Sequence, residues 1–219
     1  MTRILGVDEA GRGAVIGPLI VAGALIDEKD EGKLIEIGVK DSKLLTHKKR
    51  GELHQQLGQI LAESRLEVIS AAEIDSSKEE GINLNELEAI KSSEIINNLK
   101  PDTAFIDAVD TTPLKYKGRL VNHLSVDPKL VIEHKADSTY PIVSAASILA
   151  KEAREDAISE LKKKVGDFGS GYPSDPLTKE FLTRWLNEHN SFPTWVRHSW
   201  KTISTKLGNK TQKNLEEYK

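Results

Sequence analysis

The chain has 219 residues, enough for one α/β domain with a small appendage, and 38% of them are hydrophobic. A charged fraction of 30% and a lone Met argue against a membrane protein, and no apolar run reaches the ~18 residues a spanning helix needs. The absence of cysteine excludes disulfides and thiolate metal sites, leaving carboxylate and histidine as metal ligands. The net charge of −3 does not advertise nucleic-acid binding, although Lys40, Lys43, Lys48, Lys49 and Arg50 form a local basic cluster, and Lys162, Lys163 and Lys164 another that reads as a solvated helix face.

Taken in chain order, Arg3 to Val7 reads as a short apolar strand ending at Asp8 and Glu9, followed by a tight turn at Gly11, Arg12 and Gly13. Leu19 to Ile26 is apolar on both faces, as suits a central strand of a covered sheet. The apolar run Val15 to Ile26 is broken by Gly17, Pro18 and Gly23 and preceded by acids, so it does not read as a secretory signal, and the expected location is the cytoplasm. Thr46 is a good N-cap for an amphipathic helix carrying Leu53, Leu57, Ile60 and Leu61. Leu66 to Ser70 reads as a strand.

Asn83 and Glu86 give a capping-box-like start to a helix that runs to Leu99 and is stopped by Pro101. Thr103 to Ile106 is a strand ending at Asp107, and Leu130 to Ile132 a strand leading to His134, Lys135 and Asp137. Pro141 opens the longest helix, with Ile142, Ala146, Leu149, Ala153, Ala157 and Leu161 on one buried face and a stop near Gly166. Asp175 and Pro176 cap a helix carrying Leu177, Phe181, Trp185 and Leu186. A last amphipathic segment spans Thr194 to about Lys206, and the chain after Gly208 reads as a polar, mobile tail. No internal repeat and no dividing linker is evident.

Asp8 with Glu9, Asp107 and Asp137 thus fall at or just beyond three strand ends, and in an α/β sheet such ends converge on a shared crevice. Clustered acids repel and hold protons unless cations neutralise them. Mg²⁺ and Mn²⁺ are the natural partners for such a set, and two such ions about 4 Å apart can promote phosphodiester hydrolysis. Taken singly, each acid reads better as a solvated loop residue or a helix cap.

Several blocks together resemble one family. Gly6-Val7-Asp8-Glu9-Ala10-Gly11-Arg12-Gly13 with Ile16-Gly17-Pro18 is similar to the amino-terminal signature of the type 2 ribonucleases H, ribonuclease HII. The likeness continues in Asp41-Ser42-Lys43, Asp107-Ala108, His134-Lys135-Ala136-Asp137, the run Ser144 to Lys151 and the run Gly169 to Asp175. The short amino terminus and the Pro-Ser-Asp-Pro loop resemble the archaeal branch.

The resemblance implies a ribonuclease-H-like α/β fold, with a mixed five-stranded sheet flanked by helices and a helical carboxy-terminal extension. It divides the chain into a catalytic core over 1–175, the extension over 176–207 and the tail over 208–219. The activity it implies is endonucleolytic hydrolysis of the RNA strand of RNA/DNA hybrids, single ribonucleotides embedded in DNA included. Cleavage would use two metal ions, Mg²⁺ or Mn²⁺, and leave 3′-OH and 5′-phosphate ends. Asp8, Glu9, Asp107 and Asp137 fall on the family's catalytic, metal-holding acids.

The Gly11-Arg12-Gly13 turn falls on the family's ribose-reading turn, where glycines let backbone groups approach sugar and phosphate. Tyr172 falls on a Tyr that packs at the RNA-to-DNA junction. Lys43, Lys135 and Lys151 are expected phosphate contacts, and Ser42, Ser144 and Ser147 neutral ones, although Ser144 and Ser147 equally suit packing of a buried helix. His134 reads as a satisfied core histidine in preference to a metal-site neighbour or proton carrier. In the tail, Gln212, Leu215 and Tyr218 resemble the peptide by which replication and repair enzymes dock on the sliding clamp. A monomer is expected. Two other classes stay open: a phosphotransferase of actin-like fold, which needs a second phosphate loop, and a non-catalytic nucleic-acid-binding module in which the acids are incidental.

Overall fold

The computed structural model describes residues 2–39 and 46–208. Their contacts separate into two compact units, one of Met1–Ala10, Ile20–Val68 and Asn83–Arg154, the other of Gly11–Leu19, Ile69–Ile82 and Glu155–Lys219.

The first unit is built on a mixed five-stranded sheet, as the resemblance implies. Its strands are β1 (Arg3–Ala10), β2 (Leu19–Asp27), β3 (Glu63–Ile69), β4 (Thr103–Asp107) and β5 (Lys129–Glu133), in the order β3-β2-β1-β4-β5. β1 runs antiparallel to β2 from Arg3↔Asp27 to Ala10↔Ile20. It runs parallel to β4, which is in turn parallel to β5. β1 does not stop at Val7 as its apolar run suggests. The ladder with β2 continues through Asp8 and Glu9, because backbone pairing is indifferent to the side chains it carries. β3 likewise starts earlier than its apolar residues, and Leu66 and Val68 on it are exposed.

Eight α-helices have fully described ends: α1 (Glu31–Ile37), α2 (His47–Ile60), α3 (Ala71–Glu79), α4 (Leu84–Leu99), α5 (Pro113–Val121), α6 (Ala136–Thr139), α7 (Pro141–Val165) and α8 (Pro176–His189). Residues 201–208 are also helical. The expected caps act as read: Thr46 accepts from the Lys49 N–H, Asn83 from Glu86 and Asp175 from Leu177. The reciprocal half of the capping box is missing, because the Glu86 carboxylate is drawn to Arg119 at 2.5 Å and His123 at 2.7 Å. Charged partners outcompete a neutral N–H. Helices α1, α3, α5 and α6 are not legible in the sequence, being short and only weakly periodic. Leu177, carried by α8 as read, is exposed, and only the later part of the Thr194 to Lys206 segment is helical. It begins in a turn at Thr194 and Trp195, after which Val196 bridges Ile16, with hydrogen bonds Gly17 N–H to Trp195 C=O and Arg197 N–H to Val15 C=O. None of the described helices is long and apolar enough to cross a membrane.

One face of the sheet packs against the first half of α7, through Ile4, Ala22, Ala24, Ile142, Ala145 and Ala146. The small residues matter, since a Cβ on Gly6 would stand 2.1 Å from the Ile142 carbonyl oxygen and 2.6 Å from the Val143 nitrogen. The opposite face meets α4, where a Cβ on Gly23 would come within 2.3 Å of the Ile95 Cγ2. The second unit has its own core, which includes Ile16, Phe168, Phe181, Leu182 and Val196.

Because the Gly6 contact is with backbone that cannot rotate away, Gly6→Ala is expected to destabilise the protein by about 1–3 kcal/mol. A lowered midpoint in urea unfolding, with unchanged slope, would show this, whereas a wild-type midpoint would refute the close approach of β1 and α7.

Candidate active site

Asp8 lies near the end of β1 with its side chain on the α7 face, the face of Gly6 and Ile4, and is only 6% exposed. Asp107 ends β4, the parallel neighbour of β1, where Val7 pairs with Ile106, so Asp8 and Asp107 follow as the next residues of adjacent strands. Phe105, two residues before Asp107, packs on Tyr140 in the same layer, which places Asp107 on the Asp8 side of the sheet. Asp137 is carried by α6 and is 4% exposed. The turn into α6 needs a left-handed residue, supplied by Lys135 at φ +59°. It directs the Ala136 N–H to the Asp107 Oδ1 at 3.0 Å. Three of the four predicted acids are therefore gathered on one face.

Their proximity is electrostatically adverse. Burial first, and then the nearby Asp107 and Asp137, push the Asp8 carboxyl up to about 6. The Ser147 hydroxyl and the Glu9 N–H, which donates to Asp8 at 2.8 Å, act in the opposite direction. Ser147 Oγ is fully enclosed and approaches Asp8 without reaching full hydrogen-bond geometry, so its help is incomplete. Glu9 is half-buried; strand alternation turns its side chain toward the α4 side of β1, and it lines one small cavity with Asp8 and Asp107 as well as Glu88, Ser92 and Tyr116.

Among the described residues no group of three or more His, Asp or Glu side chains forms a ready-made metal cage. The donor set nevertheless fits a hard divalent cation. Such ions are commonly held by one or two carboxylates, with water and substrate phosphate oxygens completing the shell. A cation would also relieve the repulsion that raises Asp8.

The other predicted residues divide. Ser144 is fully buried and its hydroxyl donates to the Val39 carbonyl. This is the packing role that the sequence leaves open for it beside a phosphate contact. His134 is exposed rather than in the core, its Nδ1 3.2 Å from the Ala108 carbonyl. Lys135 is exposed and Lys151 half-exposed on α7. Ser42 and Lys43, like Gln212, Leu215 and Tyr218, lie outside the described residues.

In the second unit, Gly11 takes φ +90°, a conformation natural to glycine, and the Tyr172 ring lies 3.9 Å from where a Gly13 Cβ would stand. A residue missed by the sequence reading holds this turn. Arg197 is fully buried and donates to the carbonyls of Gly11 at 2.8 Å, Arg12 at 2.9 Å and Gly17 at 3.1 Å. No local pattern marks it, since its partners stand about 180 residues earlier in the chain.

In metal-free protein the raised Asp8 group lowers stability at neutral pH. An acid favoured in its neutral form by folding contributes stability below its unfolded value near 3.8, lost as pH rises through about 6. Asp8→Asn in EDTA is therefore expected to raise unfolding stability by on the order of 1–3 kcal/mol at pH 7, with the gain vanishing below pH about 4. A gain independent of pH, or none, in denaturation series at both pH values would contradict the burial argument.

The ribonuclease HII family model matches residues 5–203. The chain is 46% identical over 203 residues to ribonuclease HII of Pyrococcus furiosus, covering 92% of this chain and 89% of the relative. Among solved structures it is similar to ribonuclease H2 from Pyrococcus horikoshii, at 43% identity and a TM-score of 0.89 over 95% of this chain and 98% of that one. It is also similar to the enzyme in the PCNA:RNase HII complex from Archaeoglobus fulgidus, at 41% identity and a TM-score of 0.83 over 90% and 95% of the two chains. With the family model spanning both units and the fold and relatives agreeing, the chain belongs to the ribonuclease HII family and is a ribonuclease H, an endonuclease of the hydrolase class.

Proposed function

We propose that this enzyme cuts the RNA strand of RNA/DNA hybrids, and single ribonucleotides within DNA, with Asp8, Glu9, Asp107 and Asp137 as its metal-holding acids. The observation that carries the reading is the gathering of Asp8, Asp107 and Asp137 on one sheet face, with a buried Asp8 raised toward neutrality by burial and by the other two. Divalent-metal dependence is general in the family. Two bound ions, Mg²⁺ or Mn²⁺, would supply charge stabilisation and an activated water, giving 3′-OH and 5′-phosphate ends.

The chain's own groups do the positioning. The Ala136 N–H fixes the Asp107 carboxylate, and the Glu9 N–H holds Asp8. Glu9 is assigned to the same function by its place beside Asp8 in the chain, at the end of a strand. Lys135 and Lys151, with Lys43, contribute salt-dependent phosphate contacts that carry no sequence information. The Gly11-Arg12-Gly13 turn reads the ribose, and Tyr172 beside Gly13 stacks where RNA meets DNA.

Asp107→Asn is expected to abolish Mg²⁺-dependent cleavage of a labelled hybrid while hybrid binding stays within about tenfold, because a lost ligand disables metals more than phosphate contacts. Near-normal turnover would remove Asp107 from catalysis. With the same assay, Tyr172→Ala should slow cutting at a lone ribonucleotide more than within a long RNA stretch. Equal losses would make Tyr172 a structural residue.

A second element of the proposal is docking of the tail peptide containing Gln212, Leu215 and Tyr218 on a sliding clamp, supported by the complex that the Archaeoglobus fulgidus family member forms with PCNA. A chain ending at Gly208 should keep full activity on a short free hybrid and lose clamp binding in calorimetry. Equal clamp affinity of the intact and shortened chains would refute the docking.

A further inference from the structure

Of the charged side chains in the described residues, Arg197 is the largest that is fully buried, and nothing in the chemistry proposed above uses it. Its partners in the second unit include the carbonyls of Gly11, Arg12 and Gly17, and the Trp200 ring, whose centroid is 4.9 Å from the guanidinium. A planar guanidinium with donors in a rigid fork fixes the directions of the oxygens it binds.

Those directions have a consequence for the other side of the turn. In a planar trans peptide the carbonyl and the following N–H point oppositely, and none of the described peptides is cis. With the Gly11 carbonyl drawn to Arg197, the Arg12 N–H is aimed away from the guanidinium. With the Arg12 carbonyl also drawn there, the Gly13 N–H is aimed away as well. Two successive N–H groups on one side of the chain make a concave donor pair suited to an oxygen ligand. Gly13 is exposed, and Gly11 at φ +90° permits the required twist.

We infer that Arg197 is a positioning residue for substrate reading. By holding the Gly11 and Arg12 carbonyls from behind, it presets the Arg12 and Gly13 N–H groups as a donor pair for an oxygen of the ribonucleotide, its 2′-hydroxyl or the adjoining phosphate. The segment after α8 therefore has a part in specificity, although no residue of it needs to touch the substrate. The inference rests on the turn being the ribose reader.

The test is binding rather than turnover. Fluorescence anisotropy in EDTA, where no cleavage occurs, compares affinity for an RNA/DNA hybrid with affinity for an all-DNA duplex of the same sequence. Arg197→Ala is expected to lower the hybrid-over-DNA preference by about tenfold, the scale of a misplaced hydrogen bond, with all-DNA affinity and the circular dichroism spectrum retained. Low-millimolar methylguanidinium should restore the preference in Arg197→Ala and do nothing to the wild type. Arg197→Lys, which keeps the charge but not the fork, should fall between, and it carries the test alone if the alanine variant does not fold. Wild-type preference in a folded Arg197 variant overturns the inference. Gly13→Pro, which deletes one of the two donors directly, separates the failures. If it keeps the preference, the turn is not the reader. If it loses the preference while the Arg197 variants keep it, the turn reads ribose without help from Arg197.

Discussion

At Gly6 the backbone of β1 touches the backbone of α7, with no room for a methyl group between them. That approach is bought by small residues on both sides, Ala22 and Ala24 on β2 and Ala145 and Ala146 on α7. Two residues after Gly6, on the same face, stands Asp8, and one turn after Val143 stands Ser147. The tight packing therefore brings a helix hydroxyl up to a strand carboxylate and strips water from it. A larger residue at position 6 would move α7 outward and return solvent to Asp8, weakening the electrostatics that set it apart from an ordinary surface acid.

The second requirement is that acids from separate strands share the space. Parallel pairing of β1 and β4 sets Asp8 beside Asp107 with no help from side-chain chemistry. Asp137 arrives by a different route, through a left-handed Lys135 that no propensity favours. The strain at Lys135 is offset by the hydrogen bond it makes possible, Ala136 N–H to Asp107. Backbone cost is accepted where it assembles charge, a pattern typical of sites rather than of scaffolds.

How much of this was legible in the sequence follows from what carries each feature. The strands β2, β4 and β5 and the helices α2, α4, α7 and α8 announce themselves by apolar runs, helical spacing and caps at Thr46, Asn83 and Asp175. The acids were recognisable because family blocks surround them. The extension of β1 through Asp8 and Glu9 was not, since it depends on pairing with β2 and not on local composition. Nor was the division of Asp8 and Glu9 between two faces of one strand, which follows only once β1 is known to continue. Glu86 fitted a capping box by spacing, but Arg119 and His123, arriving from α5 and the residues after it, took its carboxylate. Arg197 lies beyond any local reading, because its meaning is in carbonyls that the fold brings to it.

The two buried charges show how structure distinguishes a scaffold group from a working one. Arg197 is fully enclosed, yet its guanidinium is answered by carbonyl oxygens at three residues and by an aromatic face, so burial leaves it content. Asp8 is nearly as enclosed, but an N–H and a poorly placed hydroxyl are set against two further acids, and its ionised form is disfavoured. A fold that can satisfy one buried charge so fully has no general difficulty in doing so. The deficit at Asp8 therefore belongs to its site, where burial, the largest cause, is joined by the repulsion of Asp107 and Asp137. A divalent cation would relieve it, because positive charge offsets the mutual repulsion of the three carboxylates.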